Sequence, residues 1–188
     1  MATYLGIHGG KIQNYTTDPD YPSTGEVWYN STANTIKIES ATAAGAWSTG
    51  NNMNDSRTSL GGAGVQTSAL GFGGYGDSQG VTESYNGTNW TEVNDLNNAR
   101  VYLAGAGVSN TSALAIGGYA TTPRAYTESW NGTNWTEVND LNTARFALSA
   151  AGTQTSAIAA GGATPPAARP TNSEIWNGTN WTNTGTIN

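Results

Sequence analysis

The chain repeats itself with a period near 45 residues. TESYNGTNWTEVNDLNNAR at 82–100 returns as TESWNGTNWTEVNDLNTAR at 127–145, and SEIWNGTNWTNTGTIN follows at 173–188. Between these copies lie TSALGFGG (67–74), TSALAIGG (111–118) and TSAIAAGG (155–162). Trp47, Trp90, Trp135 and Trp181 are spaced by 43, 45 and 46 residues, and Arg57, Arg100 and Arg145 by 43 and 45. Self-similarity at this period belongs to solenoids, propellers and arrays. A unit of this size buries its apolar surface only by stacking on its neighbours, so the fold follows from how the units pack.

Each period reads as four strands. The first is small and apolar: LGGAGV (60–65), LAGAGV (103–108) and LSAAGT (148–153). The second is the TSAL segment that ends in Gly-Gly, the third is TESY, TESW or SEIW, and the fourth opens on the Trp of Asn-Trp. Asn86-Gly87, Asn131-Gly132 and Asn177-Gly178 stand between third and fourth strands, and Asn-Gly is a strong hairpin signal because it supplies φ > 0. No stretch sustains a 3.6-residue period, so the class is all-β. Four strands per 45 residues is the blade of a β-propeller. Gly and Ala in the first strand suit a crowded axis, and a Trp per blade suits the wider gap outside it, where burying one large side chain contributes roughly 1.5–3 kcal/mol.

The Gly-Gly that ends the second strand, the aromatic of the third (SYNG, SWNG, IWNG) and the Trp that opens the fourth resemble the kelch repeat over about 52–188. The head GIHGGKIQNYTTDPDYPSTGEVWYN and the near-identical repeats are also similar to tail-fibre-like structural proteins of tailed, aquatic bacteriophages. The first resemblance implies a kelch-like β-propeller. The second implies a virion component.

Three periods (about 52–95, 96–140 and 141–188) are fewer than the four to eight blades of a closed propeller. Residues 1–51 are therefore expected to supply a divergent first blade or a virion attachment. AWSTGNNMNDSR, with Trp47 ten residues before Arg57, matches the fourth-strand segments of the later repeats. GEVWYN (25–30) and TIKIES (35–40) read as two strands around a polar turn. The expectation is about four blades of four antiparallel strands. The alternative is a three-blade arc with an N-terminal adaptor, completed by oligomerisation.

Composition narrows function by exclusion. Of 188 residues, only 7 are Lys or Arg and 13 are Asp or Glu, with one His and no Cys. Zinc sites, Fe–S clusters and Cys-dependent catalysis lack their residues, so no metal, no cofactor and no enzyme activity are expected. A net charge of −6 argues against nucleic acid. No apolar run reaches the length of a membrane span, and the N-terminus has no basic and apolar leader, so neither membrane insertion nor secretion is expected.

Candidate binding residues come from comparing the repeats with one another. The connection between second and third strands varies most: YGDSQGV (75–81), YATTPRAY (119–126) and ATPPAARPTN (163–172). In an up-and-down blade these connections share one face with the links between blades, and repeat variation on one face marks a binding surface. Tyr75, Asp77, Tyr119, Arg124, Tyr126 and Arg169 are the candidates. Arg57, Arg100 and Arg145 recur once per blade, as do Glu83, Glu128 and Glu174, and read as structural ties rather than an anion clamp. The four repeated Trp read as core. Asp18 and Asp20 in TTDPD read as a turn rather than a calcium site.

The expected role is a non-enzymatic structural protein of a tailed-phage virion: a tail-fibre, baseplate or decoration component assembled in the host cytoplasm. Its partners would be other virion proteins and further copies of itself, with a host-surface glycan as the attachment ligand. A glycan-binding propeller lectin outside a virion is the alternative.

Overall fold

The computed structural model describes residues 12–19, 26–38, 49–164 and 168–186. Trp47, Asp20 and the Tyr21-Pro22 turn lie outside them. The described residues form fifteen strands and no helix, and the chain divides into two compact units, 1–49 and 50–188.

The N-terminal unit holds a three-stranded sheet in the order β1 (Gln13–Tyr15), β2 (Val27–Asn30), β3 (Thr35–Ile38). The expected pair of strands around a polar turn is present as the antiparallel β2–β3 hairpin. β1 runs parallel to β2, which no blade strand does. Asp18 ties the sheet together. Its Oδ1 accepts from Trp28 Nε1 (3.1 Å) and Asn30 Nδ2 (2.8 Å), and its Oδ2 from Lys37 Nζ (2.5 Å). These donors occupy both oxygens. The Lys37 hydrogen bond, followed by those from Asn30 and Trp28, lowers the Asp18 pKa from 3.8 to about 2.

The second unit is three four-stranded antiparallel blades, one per repeat. The first blade is β4 (Gly61–Val65), β5 (Ser68–Phe72), β6 (Thr82–Tyr85) and β7 (Trp90–Val93). The second is β8 (Ala104–Ser109), β9 (Ser112–Ile116), β10 (Thr127–Trp130) and β11 (Trp135–Val138). The third is β12 (Ser149–Gly152), β13 (Ala157–Ala160), β14 (Asn172–Trp176) and β15 (Trp181–Thr186). Strands follow one another in sequence order within each blade, and the innermost strand β8 packs between β4 and β12. This is the all-β, blade-by-blade architecture expected of a kelch-like propeller.

Crowding at the inner strands explains their composition. A Cβ on Gly105 would lie 2.1 Å from the carbonyl oxygen of Gly62 in the neighbouring blade, so no side chain fits there. Farther out, the gap widens and indoles fill it. Trp130 and Trp135 pack on Leu70 and Phe72 of the first blade, with the Phe72 and Trp135 rings 4.9 Å apart edge to face. Trp176 and Trp181 pack in the same way on Leu114 and Ile116 of the second blade.

The turn between third and fourth strands differs from a two-residue Asn-Gly hairpin. Tyr85 pairs with Trp90, so four residues form the loop. Only the glycine is left-handed (Gly87, φ 93°). The Asn86 side chain instead accepts from the backbone N–H of Thr88 and Asn89, both at 2.9 Å. The asparagine is there to cap the loop, an Asx turn, and not to supply a second positive φ.

Candidate functional site

The repeated charges lie inside the blades. Arg57, Arg100 and Arg145 pair with Glu83, Glu128 and Glu174, and all six side chains have zero exposure. Each glutamate is satisfied twice over. Glu128 Oε2 accepts from the backbone and side-chain nitrogens of Asn97 at 2.8 and 2.9 Å, while Oε1 receives Arg100 Nη1. Arg100 also donates to the carbonyls of Asn98, Ala115 and Gly117. A buried charge is tolerable only with such complete pairing. With four of its five N–H donors so committed and its side chain fully buried, Arg100 is not open to an external anion. Among the described residues no three His, Asp or Glu side chains come together as metal ligands.

The variable loops behave differently. After each Gly-Gly the chain pairs with the residue that follows the preceding arginine: Tyr75 with Thr58, Tyr119 with Val101 and Ala163 with Phe146. The next residue in each link is left-handed without being glycine: Ser59 (φ 58°), Tyr102 (φ 54°) and Ala147 (φ 50°). Backbone hydrogen bonds join these three across the blades, from Tyr102 N–H to Ser59 O at 2.9 Å and from Ala147 N–H to Tyr102 O at 2.8 Å. A side chain in this region costs on the order of 1–3 kcal/mol, and such strain concentrates at functional surfaces.

The strained ladder carries an aromatic track. Tyr75 meets Tyr102 at 5.6 Å between ring centres, Tyr102 meets Phe146 at 6.1 Å, and Phe146 meets Tyr119 at 5.3 Å. The track crosses all three blades, with Tyr75 43% and Tyr102 39% exposed. At the third blade a pocket of about 670 Å³ opens between Phe146, Ala147, Gly162, Arg169 and Pro170.

Of the expected residues, Tyr75 and Tyr119 therefore join one track, and Arg169 lines the pocket beside Phe146. Arg124 lies over the Tyr126 ring at 5.4 Å. Its Nη2 donates to Thr121 Oγ1 at 3.3 Å, and its buried Nε has no partner. Asp77 is exposed and belongs to neither group. Tyr102 and Phe146, which bridge Tyr75 to Tyr119, were not among the candidates. Their signal was present in the sequence: the pair after the repeated arginine varies as Thr-Ser, Val-Tyr and Phe-Ala between otherwise matching repeats.

Flat, amphipathic rings in a row suit a ligand with alternating apolar and hydroxylated faces. The ring face packs against C–H groups, and the phenol oxygen hydrogen-bonds at the edge, at low conformational cost. The chain matches no protein-family model and no curated protein sequence.

Proposed function

We propose that the chain is a non-enzymatic structural protein of a tailed-phage virion, as a tail-fibre, baseplate or decoration component, whose propeller face attaches to host-surface glycan. The virion half rests on the similarity of the head segment and the near-identical repeats to tail-fibre-like proteins. The attachment half rests on one observation: the Tyr75–Tyr102–Phe146–Tyr119 track with the Arg169-lined pocket beside Phe146. Sugar rings stack their apolar faces on such aromatics, and an arginine beside them suits an acidic sugar or a hydroxyl pair. One such face binds weakly, and many copies on a particle raise the avidity.

Two measurements test the halves separately. Mass spectrometry of purified particles is expected to find the chain, and its absence from virions would end the virion reading. A glycan array probed with the chain is expected to give binders that weaken when Tyr102 is replaced by Ala. Silence across the array at high protein concentration would remove the attachment reading. Glycan binding by a chain absent from virions would favour a free-standing lectin.

A further inference from the structure

Each blade has two unlike faces. The leading face, turned toward the N-terminal side of the array, carries the fourth-strand Trp. The trailing face carries Leu or Ile of the second strand and Thr or Ser of the third. Inside the chain a trailing face meets a leading face twice, and the same three polar ties recur at both seams. One is the backbone ladder from Ala147 through Tyr102 to Ser59. Another is the indole bond: Trp135 Nε1 donates to Thr82 Oγ1 and Trp181 Nε1 to Thr127 Oγ1, both at 3.0 Å. The third is the inner turn, where Asn110 Nδ2 donates to Ser84 Oγ (3.0 Å) and Gln154 Nε2 to Ser129 Oγ (2.8 Å), while Ser68 and Ser112 donate back to their amide oxygens.

Among the described residues, one face of each kind meets no further blade. On the trailing face of the third blade, Ile158 is 41% and Ile175 46% exposed, whereas Leu70 and Leu114, at the Ile158 position, are 1% and 0% exposed. Ile175 stands where Ser84 and Ser129 stand, and Ala160 where Phe72 and Ile116 stand, so on the uncovered face the large apolar side chains are Ile158 and Ile175. On the leading face of the first blade, Trp90 is half-buried. Every tie is open there: the Ser59 N–H, the Trp90 indole N–H and the Gln66 amide bond no described residue. Their complements on the third blade are the Ala147 carbonyl and the Ser173 and Ser156 hydroxyls, while Ile175 replaces the serine that accepts from the amide at the two inner seams, so the third tie keeps only its Ser156 half. A hydroxyl that donates, as Ser173 does to Gly185 O, can still accept.

We propose that the trailing face of the third blade docks on the leading face of the first blade of a second copy, and that two chains so joined close a six-bladed ring. The two faces keep the backbone ladder, the indole–hydroxyl tie and the Ser156 position of a seam that the chain already makes twice, with Ile175 in place of the seam serine, which is the reason for assigning the place to a second copy. The seat is prepared as well. Asn51 and Asn54 already bond Asn89 and Glu83, as Asn94 and Asn97 bond Asn134 and Glu128 in the next blade. In the proposed seam this segment plays the part that Asn94 and Asn97 play between the first two blades. The three blades among the described residues give six as the multiple of three within the range of closed propellers, and a head-to-tail contact that closes on itself makes a ring rather than a filament. The pairing does not rest on glycan binding, and Ala147 belongs both to the seam and to the pocket wall.

Sedimentation of the full chain is expected to show a species of twice 19.5 kDa that dissociates on dilution. Ile158→Asp with Ile175→Asp should reduce it to single chains with an unchanged circular dichroism spectrum, because both side chains are exposed in one chain. In a chain without cysteine, Gln66→Cys with Ile175→Cys should yield a covalent two-chain product on oxidation. Single chains at every concentration up to about 100 μM, as when the N-terminal residues cover the face themselves, would overturn the proposal. So would filaments, or a double Asp variant of unchanged mass.

Discussion

The Asp18–Lys37 pair of the N-terminal unit and the Arg100–Glu128 pair of the second blade use the same chemistry at opposite extremes of burial. Asp18 and Lys37 are 46% and 38% exposed, while Arg100 and Glu128 have no exposure at all. Water competes for the first pair, so its worth lies in orienting Trp28, Asn30 and Lys37 around one carboxylate. The second pair has no water to fall back on. Its strength is the penalty for breaking it, because one partner alone would leave a charge stranded in a low-dielectric blade. The repeats extend the contrast to apolar groups: Leu114 and Ile158 hold one position in two blades, and only the first is covered.

Removing one partner of a buried pair should therefore have the largest effect. Glu128→Ala is expected to lower stability by about 3–5 kcal/mol, seen as a shifted denaturant midpoint of the repeat unit. A midpoint within error of wild type would mean that water reaches Arg100. Next comes the apolar comparison, made at a concentration low enough to keep chains single. Leu114→Ala should lose about 2–5 kcal/mol, and Ile158→Ala no more than a surface change. Equal losses would show that Ile158 is already covered within one chain.

Two smaller tests follow. Tyr102→Gly removes both the left-handed strain and the central ring of the track. Stability should rise by about 1 kcal/mol while glycan binding falls, and a parallel fall of both would make Tyr102 a packing residue only. The smallest effect is that of acid on the N-terminal unit. The folded Asp18 value of about 2 lies below its ordinary 3.8. Its contribution is thus present above pH 3.8 and is lost as the pH falls toward about 2. The Trp28 indole N–H resonance should titrate in that window, and Asp18→Asn should abolish the titration.

Much of the fold was legible because a repeat is its own alignment. Gly-Gly, Asn-Gly and Trp return in the same order in every repeat, and each marks a strand boundary that the structure keeps. The Asn-Gly turn was misread in detail because the dipeptide alone does not show the loop length, which the Tyr85–Trp90 pairing sets. Half of the aromatic track was legible as loop variation. The other half was not, since Tyr102 and Phe146 sit in links whose lengths do not vary, and they reach Tyr75 and Tyr119 only across blade boundaries. Arg124 and Asp77 lie in equally variable loops, yet their side chains do not reach the track.

By itself the sequence determined the unit: a four-stranded blade with glycine at the crowded axis, one indole in the outer gap and one Arg–Glu tie. These are local demands of strand pairing and packing, and each repeat states them again. Only the tertiary structure decided which copies of a position are covered. Exposure depends on a neighbouring blade, and a residue at the end of the array has the same sequence context as one in the middle. That is why Ile158 and Leu114 look alike in the sequence, and why the face that ends the array emerged only from the packed blades.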